Sequence, residues 1–284
     1  MPNPSLNVVS ESVEFSGGKL HYHEAGEGPC ILFLHGSGPG VTGLANFEGN
    51  LPAFAESFRC LVIDFPGYGA SDPVEGDPIA GCVASAVGLL DALGVERAHI
   101  IGNSLGGIVG SQVAAQHGER VDRFVTIGGI GLNLFSPFPG EGLNLLTAFA
   151  EEPTRERMQE WLSSMVFDQS LVTDELVERR FKQATDPVTL ATTRAMYSKK
   201  SMAALTDFRS EMPTAMLAHL AAIQRPTLIA WGRDDRVTPM DIGLIPMRII
   251  PDCELHVFSR CGHWVMIERK EAFESLVQSF LQRS

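Results

Sequence analysis

Positive charge is scarce in this 284-residue chain: 22 Lys and Arg stand against 34 Asp and Glu, a formal net charge of −12. That balance argues against nucleic acid and anionic membrane surfaces as partners, and an anionic substrate would need a local cation to offset the general field. No window approaches 18 uninterrupted apolar residues, so no membrane span is expected. Met1 to Glu14 lacks the basic start and apolar run of a signal peptide. Paired cysteine motifs are missing too. The five cysteines, at 30, 60, 82, 253 and 261, are odd in number and form no C-x-x-C, which speaks against a structural zinc site and suits reduced thiols in the cytoplasm. No repeat or low-complexity tract is visible. Hydrophobic content of 44% with 20% charged residues is ordinary for a globular chain, and the length suffices for one domain carrying an insertion.

What is present is organised around Ala98 to Gly107. Ile100 and Ile101 run as a strand into Gly102-Asn103-Ser104-Leu105-Gly106, and Ile108 to Gln116 has helical spacing. A serine at a strained strand-to-helix turn leaves no room for a Cβ at its glycine neighbours, and the following helix points its positive end back at the hydroxyl. Alone, G-x-S-x-G is a weak signal that also fits a helix-packing turn, so the rest of the chain must decide.

Ser12 to Phe15 and Lys19 to Glu24, separated by Gly17-Gly18, read as a hairpin. Cys30 to Leu34, Cys60 to Ile63, Val121 to Ile127, Pro226 to Gly232 and Cys253 to Phe258 read as strands, with helices over Ala80 to Leu93 and Glu271 to Leu281. This alternation predicts a doubly wound α/β sheet. From Leu134 to Thr214 no buried-strand run appears, and Thr154 to Met165 and Thr173 to Ala184 read as amphipathic helices capped by threonine. The expected organisation is a first core part (1–133), a helical lid (134–214) and a second core part (215–284).

A serine hydroxyl needs a base within reach, itself oriented by a carboxylate. Ser104, Asp235 and His263 stand in the order this sheet requires, the acid after the penultimate strand and the histidine after the last. Asp234 is the competing acid; the spacing from Gly232 and the closing Pro239 favour Asp235 and leave Asp234 to a turn or helix cap. An oxyanion hole needs two backbone donors, here the N–H groups of Leu105 and Ser37, the latter in His35-Gly36-Ser37-Gly38-Pro39-Gly40. That loop lacks the Lys-Ser/Thr ending of a P-loop.

Together, His35 to Gly40, Gly102 to Gly107, Trp231-Gly232-Arg233-Asp234-Asp235-Arg236 and Cys261-Gly262-His263-Trp264 resemble the meta-cleavage product hydrolases, and the similarity extends to Phe167 to Leu171 in the lid. The resemblance implies an α/β-hydrolase fold, a mostly parallel central sheet flanked by helices beneath a helical lid. It implies cleavage of a C–C bond in 2-hydroxy-6-oxohexa-2,4-dienoate-type compounds, a small anionic substrate, no metal or organic cofactor, and a homodimer or higher homo-oligomer. Carried over by position, it implies Asn46, Asn103 and Arg180 as partners of the substrate's polar end, with Gly38 beside them and Met165 and Trp264 shaping the pocket. An arginine can hold a carboxylate bidentately; the alternative for Arg180 is a solvated place beside Arg179. Leu44 stands where many relatives carry an aromatic, and the usual aromatic near Met165 is missing, so pocket walls are expected to differ. Two rivals share the motifs: a carboxylesterase, for instance on a monoester keeping a free carboxylate, and a ligand receptor on a hydrolase fold.

Overall fold

The computed structural model describes residues 6–16, 18–211 and 213–283, so Gly17 of the expected hairpin turn and Met1 to Ser5 lie outside the described residues. Eight strands form one sheet: β1 (Val9–Phe15), β2 (Gly18–Ala25), β3 (Cys30–Leu34), β4 (Arg59–Ile63), β5 (Ala98–Asn103), β6 (Val121–Ile127), β7 (Thr227–Gly232) and β8 (Cys253–Phe258). Their order is β1-β2-β4-β3-β5-β6-β7-β8. The β1/β2 and β2/β4 pairs are antiparallel and the remainder parallel.

Every residue of β3, β5 and β7 is buried, as continuous apolar runs require when helices cover both faces. Alternation divides them between two cores. Ile31, Phe33 and Ile101 pack on one face with Phe54 and Phe273, while Leu32, Leu34 and Ile100 pack on the other with Val109 and Val113. The first core runs on into the segment between β6 and β7 through Phe149, Met158, Trp161 and Met165, so that segment is anchored by burial. β8, paired on one side only, is largely exposed.

The β6–β7 segment carries the helices Glu141–Glu151, Arg155–Met165, Asp174–Ala184, Pro187–Tyr197, Lys199–Glu211 and Pro213–Ala222. Thr154 and Thr173 cap as expected, accepting from the N–H groups of Arg157 and Leu176 at 3.3 and 3.1 Å. Three helices begin earlier than their apolar periodicity suggests. Pro78–Ala92 starts at a proline behind the cap of Asp77, whose side chain accepts from the Ala80 N–H at 2.7 Å. Leu105–Gln116 opens through two glycines, which carry no periodic signal, and Lys270–Leu281 gains one residue.

All five cysteines are free. Burial pushes each thiol up to about 12, so roughly one in 10⁴ is ionised at pH 8. Iodoacetamide at pH 8 should therefore leave activity intact over the time in which it alkylates the urea-unfolded chain; rapid inactivation of the native protein would contradict this.

Candidate active site

Four loops at the carboxyl ends of β3, β5, β7 and β8 converge, where an open α/β sheet places its ligands. Ser104 leaves β5 at φ 53° and ψ −113°, a strained conformation for a non-glycine residue, with its N–H held by the Ile127 carbonyl at 2.8 Å. A Cβ on Gly102 would run into the Gly106 carbonyl, and one on Gly106 into the Leu34 carbonyl. The flanking glycines are thus a steric necessity, and the turn drives the hydroxyl out over the sheet edge.

The loop after β3 is held by two fixed contacts. His35, fully buried, donates from Nδ1 to the Gly36 carbonyl at 2.5 Å and accepts the Phe65 N–H on Nε2 at 2.9 Å. Burial lowers its pKa, so it stays neutral in that tautomer. Asn46 accepts the Gly36 N–H at 2.9 Å. The N–H groups of Ser37 and Leu105 have no acceptor among the described residues, leaving two donors free beside Ser104. The Ser37 hydroxyl bonds the Tyr197 hydroxyl.

Asp235, 6% exposed, accepts on Oδ1 from the N–H groups of Val237 and Thr238 at 2.8 and 2.9 Å. Its Oδ2 lies 2.7 Å from Nδ1 of His263, which is 1% exposed. The Thr238 hydroxyl sits 3.0 Å from the same oxygen and 2.9 Å from the Gly128 carbonyl. His263 is held in turn by its N–H, donating to the Met165 carbonyl at 2.7 Å. Asp234 sits in the turn after β7, as expected, and does not cap a helix; its carboxylate also accepts the Cys261 N–H at 3.3 Å and ties the two loops together.

Ser104 and His263 line one cavity of about 30 Å³, room for a water or two. The described hydrogen bonds do not include one between the Ser104 hydroxyl and the His263 ring, a contact that commonly tightens only with substrate bound. Ser37, Gly38, Asn46, Asn103, Met165, Arg180 and Trp264 line the same cavity, and Leu105 lines the chamber beside it. Asn103 has its amide nitrogen 3.2 Å from the Ile127 carbonyl, so its oxygen is the freer end.

Arg180 is 5% exposed whereas its neighbour Arg179 faces solvent. Among the described residues its guanidinium reaches only the Gly40 carbonyl, at 3.2 Å, and lies 5.9 Å from the ring centres of Trp161 and Trp264. Its Nε and the indole N–H of Trp161 are both buried without a partner. Burial, with Arg179 nearby, pulls the Arg180 pKa down to about 9. A buried cation and a buried donor left open beside one cavity suit an incoming carboxylate.

Two larger spaces adjoin. A largely apolar chamber of about 560 Å³ shares Ser104, Leu143, Tyr197 and Val237 with the small cavity. A second, of about 280 Å³, meets it at Val41, Asn46, Arg180 and Trp264 and carries Arg179 and Lys270. Leu44 corrects one expectation: it packs against the core and lines none of these spaces, so its change from an aromatic does not touch a pocket wall. Trp161, one helical turn before Met165, lines the small cavity beside it. Sequence reasoning missed Trp161, Tyr197 and Thr238; only Trp161 left a trace, its i, i+4 spacing from Met165.

Among the described residues, His21, His23 and Asp64 are close enough to share a metal ion. Both Asp64 oxygens are already engaged, by the N–H groups of Gly43 and Ala70 and by His21, so the cluster reads as a loop anchor.

Comparison with known proteins agrees with this geometry. A model of the alpha/beta hydrolase fold matches residues 29–270. The chain is 38% identical over 288 residues to a 2-hydroxy-6-oxononadienedioate/2-hydroxy-6-oxononatrienedioate hydrolase of Burkholderia vietnamiensis, covering 98% of this chain and 95% of the relative. It is 38% identical over 268 residues to a 2-hydroxy-6-oxo-6-phenylhexa-2,4-dienoate hydrolase of Burkholderia cepacia, covering 93% and 91%. Among solved structures, a meta-cleavage product hydrolase from Pseudomonas fluorescens superposes with a TM-score of 0.85 at 33% identity, covering 95% of this chain and 96% of that one. The 2-hydroxy-6-oxo-6-phenylhexa-2,4-dienoate hydrolase from a Rhodococcus species gives 0.88 at 28% identity, covering 98% and 100%. The chain belongs to the alpha/beta hydrolase fold family and, within it, to the meta-cleavage product hydrolases.

Proposed function

We propose that this protein hydrolyses a C–C bond in 2-hydroxy-6-oxohexa-2,4-dienoate-type meta-cleavage products, releasing a 2-hydroxypentadienoate and a carboxylic acid. The observation that carries the reading is Arg180, a buried cation without a counter-anion among the described residues, lining the same cavity as Ser104 and His263. A dienoate brings the carboxylate that satisfies this cation; a monoester with a free carboxylate would too, and kinship with C–C hydrolases favours the dienoate.

In this scheme Arg180, Asn46 and Asn103 hold the carboxylate and the 2-oxygen, with Trp161 as a further donor and Gly38, Met165 and Trp264 shaping the cavity. The 2-hydroxyl gives up its proton and C5 gains one, which converts the dienol to a 2,6-dioxo enoate. His263, oriented by Asp235, then takes a proton from Ser104 or from water. The activated oxygen adds to the C6 carbonyl, and the N–H groups of Ser37 and Leu105 stabilise the resulting oxyanion. Collapse breaks C5–C6, and the electron pair flows into the enoate and the 2-oxygen, which takes up a proton. Water supplies the hydroxyl of the acid and the balancing hydrogen. Residues 134–214 serve as a lid. The reading includes a cytoplasmic location, which the unpaired cysteines favour, and a homo-oligomer, which a native mass would test. Among the described residues, no helix is long and apolar enough to cross a membrane.

Loss of the yellow dienoate absorbance, measured alongside turnover of aryl esters and phthalate monoesters, tests the reaction. Bleaching faster than ester hydrolysis is expected; ester turnover with no bleaching would point instead to the carboxylesterase. A finer test concerns Thr238, which braces the Asp235 carboxylate. Thr238→Val should lower kcat about 10-fold, near the 1 to 1.5 kcal/mol of one hydrogen bond, with KM within twofold and a displaced pH profile. Thr238→Ser should restore both; an unchanged profile in the valine variant would reduce Thr238 to packing.

A further inference from the structure

We propose that the 560 Å³ chamber receives an acyl substituent ending in a carboxylate, and that Arg209 is the specificity residue meeting this second anion; the inference rests on the C–C hydrolase reading. The chamber meets the small cavity at Ser104 and Tyr197, so whatever is attached to the cleaved carbonyl must extend into it. An apolar cavity of about 150 Å³ is enough to bind benzene. Nearly four times that volume exceeds what a methyl or a single phenyl group would fill. Most of its wall is apolar, with Met196, Met202, Leu205 and Phe208 among the lining side chains.

Arg209 breaks that wall. Its guanidinium donates to the Asn133 side chain at 3.0 Å and lies 4.2 Å from the ring centre of Phe138, both residues lining the same chamber. Among the described residues, no carboxylate lies within 4.0 Å of it. By contrast Arg59, Arg97, Arg120, Arg155, Arg157, Arg233, Arg236 and Arg283 each pair with an acid. Arg123, Arg225 and Arg269 are also half-buried without an acid partner among the described residues, but Arg209 differs from them in lining the chamber, and burial holds its pKa below the ordinary value. Of the other polar side chains that line the chamber, Ser111 and His219 bond each other at 3.1 Å, Ser201 and Thr238 donate to the Ala195 and Gly128 carbonyls, and the carboxylate of Asp77 accepts the Ala80 N–H at 2.7 Å as a helix cap. Arg180 lines the small cavity and Arg209 the chamber, with Ser104 common to both spaces. Two unmatched cations set on either side of the reacting centre fit a substrate charged at both ends.

The test is a panel of 2-hydroxy-6-oxo-dienoates carrying methyl, phenyl, an ω-carboxyalkyl chain, or the matching ω-carboxamide. Wild-type kcat/KM should favour the carboxylate over the carboxamide by at least 10-fold. Arg209→Gln should erase that preference, chiefly through KM, while cleaving the phenyl compound within threefold of wild type, and Arg209→Lys should retain part of it. Equal turnover of acid and amide by wild type would overturn the proposal. So would an equal fall for all four compounds in Arg209→Gln, which would make the residue a strap on Asn133 and Phe138. Failure of wild type to cleave any dienoate would overturn the C–C hydrolase reading instead.

Discussion

Ser104→Ala should lower kcat for dienoate cleavage at least about 10³-fold, on the order of 4 kcal/mol or more, while the substrate still binds. The residue has one role in the proposed scheme, delivering or activating the oxygen that adds to the C6 carbonyl. Nothing in that role touches the carboxylate end, where Arg180, Asn46 and Trp161 lie. Stopped-flow spectra of the variant should therefore show the bound dienoate and its ketonised form without the acid product. Asp235→Asn should cost on the order of 10⁴-fold, because His263 would meet an amide across its 2.7 Å contact and lose its fixed tautomer. Near-normal product formation by Ser104→Ala would remove the hydroxyl from the mechanism.

Arg180→Met should separate activity from stability. Without a carboxylate to bind, kcat/KM should fall by roughly 2 to 4 kcal/mol, about 30- to 1,000-fold. The free protein should melt at the same temperature or a few degrees higher, because an unpaired buried cation is replaced by an apolar chain of similar length. The sign follows from burial: a guanidinium whose folded-state pKa lies near 9, below its unfolded value, destabilises the empty protein at every pH below that range and is relieved only as pH rises through it. An arriving carboxylate reverses the effect, so the dienoate product should raise the melting temperature of wild type and leave Arg180→Met unmoved. Wild-type kinetics, or a large loss of stability, would mean that Arg180 serves the lid and not the substrate.

The legible parts of this protein are those that local chemistry writes into adjacent residues. The glycines around Ser104 are forced by the carbonyls of Gly106 and Leu34, and the threonine caps by the helices they open. The choice of Asp235 over Asp234 follows from spacing. Arg180 is a different matter: its neighbour is also arginine, and only packing against Trp161 and Trp264 shows which of the two is buried. Tyr197 meets Ser37 from 160 residues away, and Thr238 acquires its role only once β7 and β8 lie side by side. Neither contact has a period or a motif. The chamber was illegible for the same reason, since the space left between helices is a property of no residue in particular.

The main-chain bond from His263 to Met165 has a consequence for how this scaffold can change. Glu268 reinforces it, one oxygen accepting from Gly262 and the other from Phe167 and Asp168. The end of the helix Arg155–Met165 and the His263 loop are therefore stitched together along one seam, and trimming that part of the β6–β7 segment away would misplace the imidazole. Lys199–Glu211 lies off that seam, so new appetites can be tried out there while the machinery below keeps running.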